Sequence, residues 1–204
     1  MNLHFLYPTP VGIFHNENVE ALSEHEELIN LPYSMSNNFN RSDDTYVLDH
    51  HAPNLRSWIC DQIQIYAKDA MAITDTFKIT QSWCIKHQNE EQKIFSHIHP
   101  NSIISGAYYI DADDASEGIT FYRQTFSNHT SIQWDSDPEL MKNQSWNWAW
   151  YKIPVATGRL VLFPSHMKHG VDGKHNSNTR CVLSFNTWFS GTFGNKENLF
   201  ELAI

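Results

Sequence analysis

The chain has 204 residues, a length at which one domain with a substantial core is expected. Hydrophobic residues make up 41% of it and charged residues 18%, with eight glycines and eight prolines, which excludes a disordered, collagen-like or linker-like chain. Fourteen basic against 23 acidic residues leave a formal charge of −9, so the basic surface that a phosphate backbone requires is missing and nucleic acid is not an expected partner. No run reaches the roughly 18–20 apolar residues of a membrane span, and His4, Pro8 and Pro10 interrupt the first segment before a secretory core develops. The expectation is a cytoplasmic protein with no membrane partner. Cys60, Cys84 and Cys181 are an odd number with no CxxC spacing, which fits a reducing compartment better than a disulfide scaffold or a zinc ribbon. Twelve histidines are the unusual count, because imidazole is the commonest metal ligand and titrates near neutral pH.

Along the chain, Glu17 to Ile29 carries Val19, Leu22 and Ile29 on a rough helical stripe with acidic residues toward its start. Residues 31–51 are rich in Asn, Ser and Asp without period and read as a loop, with a short strand at Thr45–Leu48. Pro53 then opens the strongest helix, with Leu55, Ile59, Ile63, Tyr66 and Ala70 spaced by three and four, ending near Ile73. After Asp75 the period becomes two. Phe77, Ile79, Gln81, Trp83, Ile85 and His87 read as one face of a strand. Further strands are expected at 94–99, 103–111, 119–123, 145–153, 159–163 and 180–189, separated mostly by short turn-forming segments and no helical pattern. Such connections imply antiparallel pairing. The fold class expected is mainly β, a two-layer sandwich or open barrel, with a helical N-terminal part over about residues 1–75 and a β core over about 76–190, all within one domain, 1–204. Trp146, Trp148 and Trp150 share a face and are expected to pack in the core.

His97-Ile98-His99 ends a strand at Pro100, and residues two apart on a strand point the same way, so two imidazoles project together as one strand can supply two metal ligands. A pair two apart is a weak signal by itself. The segment Gly158 to Val171 reads as a turn, a buried strand and a polar loop carrying His166 and His169 beside Gly170. Eleven residues beyond His169, Arg180 opens a strand on which Arg180, Val182, Ser184, Asn186 and Trp188 share a face. A guanidinium facing into a barrel needs an anion, and a ligand carboxylate held in a bidentate fork would serve. His166 reads as structural, His87 as a pocket-edge residue, and His50-His51 as solvated.

In this order, HxH, SGAYYID, GRLVLFPSHMKHGV and RCVLSFNTW, with Tyr7-Pro8-Thr9-Pro10-Val11 near the start, the sequence resembles the non-haem iron, 2-oxoglutarate-dependent dioxygenases, in a branch found in phages and marine bacteria and similar to the prolyl-hydroxylase type. The resemblance spans about residues 5–13 and 83–188. It implies a double-stranded β-helix, or jelly roll, with iron near its open end. It implies His97 and His169 as Fe(II) ligands, Arg180 as the anchor of the distal carboxylate of 2-oxoglutarate, Tyr109 as a hydrogen-bond donor to that carboxylate, and Ser184 and Asn186 as contacts to the co-substrate or supports for the ligands. The family's usual carboxylate ligand is replaced by His99, so the third ligand is His99 itself, a carboxylate from elsewhere such as Asp111 or Asp113, or water. The activity implied is oxidative decarboxylation of 2-oxoglutarate to succinate and carbon dioxide with hydroxylation of a primary substrate. The partners are thus 2-oxoglutarate, oxygen and an unidentified small molecule or peptidyl residue.

Two other readings stay open on the residues alone. One is a cupin-like metal protein that does not use 2-oxoglutarate, although Ile103 and Ile104 stand where its Glu is expected and Arg180 has no role in it. The other is a non-catalytic jelly-roll binding or structural module. Loops 31–51 and 124–144 are the expected lids, and the chain does not disclose an oligomeric state.

Overall fold

The computed structural model of the protein describes residues 8–36, 39–87, 93–112, 118–123, 148–171 and 180–204. In chain order these form β1 (Gly12–His15), α1 (Val19–Ser23), α2 (His25–Ile29), β2 (Tyr33–Ser36), β3 (Phe39–Ser42), α3 (Val47–His50), α4 (Pro53–Met71), β4 (Phe77–His87), β5 (Ile94–His97), β6 (Ile104–Asp111), β7 (Ile119–Tyr122), β8 (Trp150–Ile153), β9 (Arg159–Pro164), β10 (His169–Val171), β11 (Arg180–Phe189), β12 (Thr192–Phe193) and β13 (Leu202–Ala203). Among the described residues, one sheet has the order β1-β9-β6-β11-β4-β3-β2 and a second the order β5-β10-β7-β8. From β4 onward the chain passes back and forth between the two sheets, and the paired strands are antiparallel. This is the jelly-roll arrangement, open rather than closed, with helices on the outer face of the larger sheet.

The larger sheet is covered on both faces, and each face has its own core. On the outer face α4 presents Leu55, Ile59, Ile63, Tyr66 and Ala67 to Cys84, Tyr108, Ile110, Leu160, Leu183 and Phe185. The helix starts with Pro53 in its first turn, and its otherwise unpaired N–H groups at Asn54 and Leu55 donate to the Glu24 carboxylate at 2.9 and 2.8 Å. Between the sheets lie Ala107, Tyr109, Ile119, Phe121, Val161, Phe163 and Val182. Alternation therefore divides β11. Cys181, Leu183 and Phe185 face the helices, while Arg180, Val182, Ser184 and Asn186 face the space between the sheets.

Several expectations change. The helix expected over Glu17–Ile29 is two short helices that meet at Glu24, which caps both. The loop expected at 31–51 contains the hairpin β2–β3, an edge addition whose half-exposed residues show no alternation in sequence. The strand expected at Thr45–Leu48 is instead a bridge at Tyr46 followed by α3, because the Asp44 carboxylate accepts the Tyr46 N–H at 2.8 Å and Ser82 Oγ accepts the Leu48 N–H at 3.0 Å. His169 lies on β10 rather than in a loop. In β4, Phe77 and Ile79 pack on the helix side, whereas Gln81, Trp83, Ile85 and His87 line the inner space. The cause is a bulge: Asn186 pairs with Gln81 and Thr187 with Ile79, leaving Thr80 as the extra residue that exchanges the faces. Trp150 is 56% exposed and Trp148 half-buried, so they do not pack in the core as expected; β8 is an edge strand, and Trp148 stacks on Tyr151 at 5.3 Å. Trp146 lies outside the described residues.

Gly106, on β6 opposite Phe185, leaves room for that ring, since a Cβ at this position would overlap it. Gly106→Ala is expected to lower the unfolding free energy by about 1–3 kcal/mol, read from the denaturant midpoint at constant slope. An unchanged midpoint would show that the Phe185 ring moves aside freely.

Candidate metal centre

His97 ends β5, His99 follows it by two residues, and His169 starts β10, which pairs with β5 so that His169 stands opposite His97. The main-chain N–H of His99 donates to Ser165 O at 3.0 Å, which turns the chain after β5 back toward β6. The three rings thereby converge: centroids of His97 and His169 are 4.5 Å apart, those of His99 and His169 5.0 Å, and those of His97 and His99 5.1 Å. One ligand atom from each lies within 4.8 Å of the others.

The hydrogen bonds fix which nitrogen each ring presents. His97 Nδ1 lies 2.8 Å from Phe95 O and His169 Nδ1 2.9 Å from Met167 O. A carbonyl oxygen only accepts, so both Nδ1 atoms carry the proton. His99 Nδ1 lies 2.5 Å from Asn186 Oδ1 and 3.1 Å from Ser105 Oγ. In all three rings the Nε2 lone pair is then left for the interior, and the Nε2 atoms of His97 and His99 face each other at 3.2 Å. Two imidazole nitrogens about 2.1 Å from one first-row ion and at right angles are roughly 3.0 Å apart, so the spacing fits two cis ligands. The donor set, three neutral imidazoles each held through its second nitrogen, suits a divalent transition metal.

Burial favours the neutral form of His169 and His99. His169 is 6% exposed, and burial pushes it down to about 3, assisted by His97 and His99 and opposed by its bond to Met167. Burial also lowers His99, against the opposing hydrogen bond to Asn186. Beneath His99, Ser105 Oγ donates to Asn186 Oδ1 at 3.2 Å and lies 2.7 Å from Ser165 Oγ, which in turn donates to Ser102 Oγ at 2.8 Å. The sequence reading missed this serine cluster. Its signal was present only as Ser102, Ser105 and Ser165 close to the two histidine blocks.

A cavity of about 760 Å³ runs from the three histidines between the sheets. Its wall includes Ala107, Tyr109, Phe163, Val182, Ser184 and Arg180. Arg180 is 2% exposed, and its Nε and Nη1 atoms have no hydrogen-bond partner among the described residues. Its guanidinium carbon lies 5.0 Å from the Tyr109 ring centroid. Tyr109 is itself 1% exposed; burial raises its hydroxyl, while the charge and hydrogen bond of Arg180 act in the opposite direction. A buried guanidinium with two free donors is complementary to an anion entering the cavity.

The structure thus brings His97, His99 and His169 together at one end of β11 and sets Arg180 and Tyr109 toward the other, with Ser184 between. Asn186 is placed against His99 and is absent from the cavity wall. Asp111 pairs with Cys181, whose side chain packs with the helix-side core, so its register puts it on the face away from the histidines. Asp113, Tyr7 and loop 124–144 lie outside the described residues. His87 lines the cavity, His166 is exposed and is not part of the histidine cluster, and His50 and His51 contact carboxylates rather than being merely solvated. From the region read as a lid, Ser36, Phe39, Arg41 and Thr45 line the cavity, residues that no sequence pattern singled out.

Residues 81–186, just over half of the chain, match the family model described as "Putative 2OG-Fe(II) oxygenase". A sequence search of curated proteins gives no match. Among solved structures, HygX from Streptomyces hygroscopicus with nickel, 2-oxoglutarate and hygromycin B bound is similar at 13% identity and a TM-score of 0.60, over 88% of this chain and 82% of that one. An oxidoreductase of the 2OG-Fe(II) oxygenase family from Burkholderia pseudomallei gives 12% and 0.59, over 87% and 83%. The prolyl hydroxylase of Trichoplax adhaerens, in complex with a hypoxia inducible factor oxygen degradation domain peptide fragment, gives 16% and 0.54, over 88% and 82%. At these identities the likeness is one of fold, and the fold is the jelly roll.

Two outcomes are expected. Asn186→Ala, which removes the acceptor at His99 Nδ1, should weaken divalent-metal binding by about 10- to 100-fold with little change in the circular dichroism of the apoprotein; unaltered affinity would separate Asn186 from the centre. The second concerns acid. With His169 held well below its unfolded value, the unfolded chain binds the extra proton first, so this histidine's contribution to stability is complete above about pH 6.5 and is lost as the pH falls toward 3. Denaturant midpoints of the apoprotein across that window should fall less steeply in His169→Gln than in the parent.

Proposed function

This chain belongs to the 2OG-Fe(II) oxygenase family, whose cofactors are Fe(II) and 2-oxoglutarate, and on that premise we propose that it is a hydroxylase in which His97, His99 and His169 hold the iron and Arg180 holds the co-substrate. The observation that carries this reading is the pairing, within one cavity, of three converging Nε2 atoms and a buried guanidinium whose Nε and Nη1 have no hydrogen-bond partner among the described residues. When bound, iron would supply the redox chemistry by which dioxygen oxidatively decarboxylates 2-oxoglutarate to succinate and carbon dioxide, one oxygen atom going to succinate and the other into a C–H bond of the primary substrate.

The protein's own share is binding, orientation and exclusion of water. Phe95 O, Met167 O and Asn186 Oδ1 hold the imidazoles in the tautomer that donates electron pairs inward. The Arg180 fork grips the carboxylate of 2-oxoglutarate remote from the metal, and the Tyr109 hydroxyl beside it donates a second contact, with Ser184 between the two ends. Phe163, Val182 and Ile119 form the apolar wall that keeps water from the reacting region. His99 occupies the position where the family carries a carboxylate, so the ligand set contributes no negative charge and the site depends more on the anionic co-substrate for neutralisation. Phe39, Arg41, Trp83, Lys93 and Phe95 also line the cavity and suit the primary substrate, a small molecule or a peptidyl residue. Relatives of this fold have been solved with hygromycin B and with a peptide, which supports both classes. Because both cores are built on the same seven-stranded sheet, we read residues 1–204 as one oxygenase domain. No helix among the described residues is long and apolar enough to cross a membrane; a cytoplasmic location is proposed on the free cysteines.

Arg180→Ala is expected to weaken 2-oxoglutarate by about 30-fold or more while Fe(II) affinity stays within about threefold, because the truncation removes a buried charged partner at the anion end only. Anaerobic titration followed by metal-to-ligand absorption measures both, and an undiminished 2-oxoglutarate affinity would remove the assignment. His99→Ala should impair iron retention. If iron binding is unchanged in that variant, His99 supports the centre without ligating it.

A further inference from the structure

A second convergence of ligand atoms lies outside the cavity wall, on the helical side. Asp44 follows β3, His50 ends α3, and His51 is the C-cap of that helix. One ligand atom from each of the three lies within 4.8 Å of the others. Asp44 Oδ2 is 2.7 Å from His50 Nδ1 and 3.2 Å from His51 Nε2. On its far side, His51 Nδ1 is 3.0 Å from Glu27 Oε1 on α2.

We infer that Asp44, His50 and His51 form a second metal site, for a zinc-class divalent ion, with the Glu27 carboxylate orienting His51. Three features carry this. First, the carboxylate is fixed before any ion arrives: Asp44 Oδ1 accepts the Tyr46 N–H at 2.8 Å, and the Asp44 carbonyl accepts the hydroxyl of fully buried Ser42 at 2.6 Å, which itself accepts the Cys84 N–H at 3.0 Å. Oδ2 is the oxygen left over, and it is the one the imidazoles face. Second, a neutral imidazole has one N–H. If His51 donates it to Glu27, the Nε2 lone pair is set against Asp44 Oδ2, an arrangement that a cation between them turns from repulsive to favourable. Carboxylate to imidazole to metal is the usual way such a ligand is held. Third, ligand atoms about 2.1 Å from one ion lie roughly 3.0–3.4 Å apart between octahedral and tetrahedral angles, so the two observed separations need to open by only a few tenths of an ångström. Two imidazoles and one carboxylate are borderline donors, which select zinc, cobalt or nickel over magnesium or calcium.

The site would tie α2, α3 and the turn after β3 to one another. Thr45, next to Asp44, lines the large cavity, so the clip would also steady one edge of that opening.

The test is zinc stoichiometry, measured on the full chain by competition with a chromophoric chelator, with cobalt absorption as the second probe. The parent should bind two equivalents. Asp44→Asn/His51→Ala should bind one, and His97→Ala/His169→Ala should retain one with the absorption of a nitrogen- and oxygen-ligated cobalt ion. Glu27→Gln should keep the second equivalent but bind it about 10- to 100-fold more weakly. Glu27, Asp44 and His51 are at least partly solvent-exposed, so variants there should fold; His169 is buried, and circular dichroism is the control for the His97→Ala/His169→Ala pair. The inference is overturned if the parent binds a single equivalent that Asp44→Asn/His51→Ala leaves intact, or if a second equivalent survives that double substitution. His51 would then be a hydrogen-bonding bridge between two carboxylates.

Discussion

Each imidazole at the candidate metal centre is tethered through Nδ1 to an oxygen, and the chemistry proposed for the cavity depends on that tether. Without it the rings could present either nitrogen, and their convergence would carry no ligand field. Two tethers are local, running from His97 to Phe95 O and from His169 to Met167 O, each two residues back along the chain. The third is not. His99 depends on Asn186, which lies on β11 in the other sheet and is itself fixed by the serine cluster around Ser105. The same strand begins with Arg180, so β11 sets both the orientation of one proposed metal ligand and the position of the proposed anion clamp.

That dependence explains why the larger sheet is buried so thoroughly on both faces. The helix-side core of Leu55, Ile59, Leu183 and Phe185 keeps β11 from shifting, and a one-residue slip would exchange Arg180, Ser184 and Asn186 with Cys181, Leu183 and Phe185. The bulge at Thr80 in β4 belongs to the same scheme. It lets Phe77 and Ile79 complete the helix-side core while Trp83, Ile85 and His87 turn to the cavity. The zinc-class site inferred at Asp44, His50 and His51 would hold the neighbouring margin in a comparable way, by fixing the turn that follows β3.

Much of this was legible in the sequence because it rests on local periodicity. The long helix from Pro53, the ten-residue strand from Arg180, and the i, i+2 pairing of His97 with His99 are all short-range statements, and the structure has them. The order of the histidine blocks, the tyrosine pair and the arginine then carried the family. What the sequence did not disclose depends on pairing between distant segments. The β2–β3 hairpin is polar because it is a sheet edge, the face exchange in β4 needs its partner Asn186 to be seen, and Asn186 could be placed against either ligand or co-substrate until His99 was found at 2.5 Å. Trp148 and Trp150 depart from the expected core position for a related reason: alternation shows which residues share a face, and only the position of β8 at an edge shows that the face is open.

The account rests on three histidines meeting at one ion through their Nε2 atoms, and an anaerobic crystal of the full chain grown with Fe(II) and measured across the iron absorption edge tests it directly. The expected result is an anomalous peak about 2.1 Å from Nε2 of His97, His99 and His169 alike. A peak coordinated by His97 and His169 with the His99 ring turned away, or no iron at this point, would contradict it.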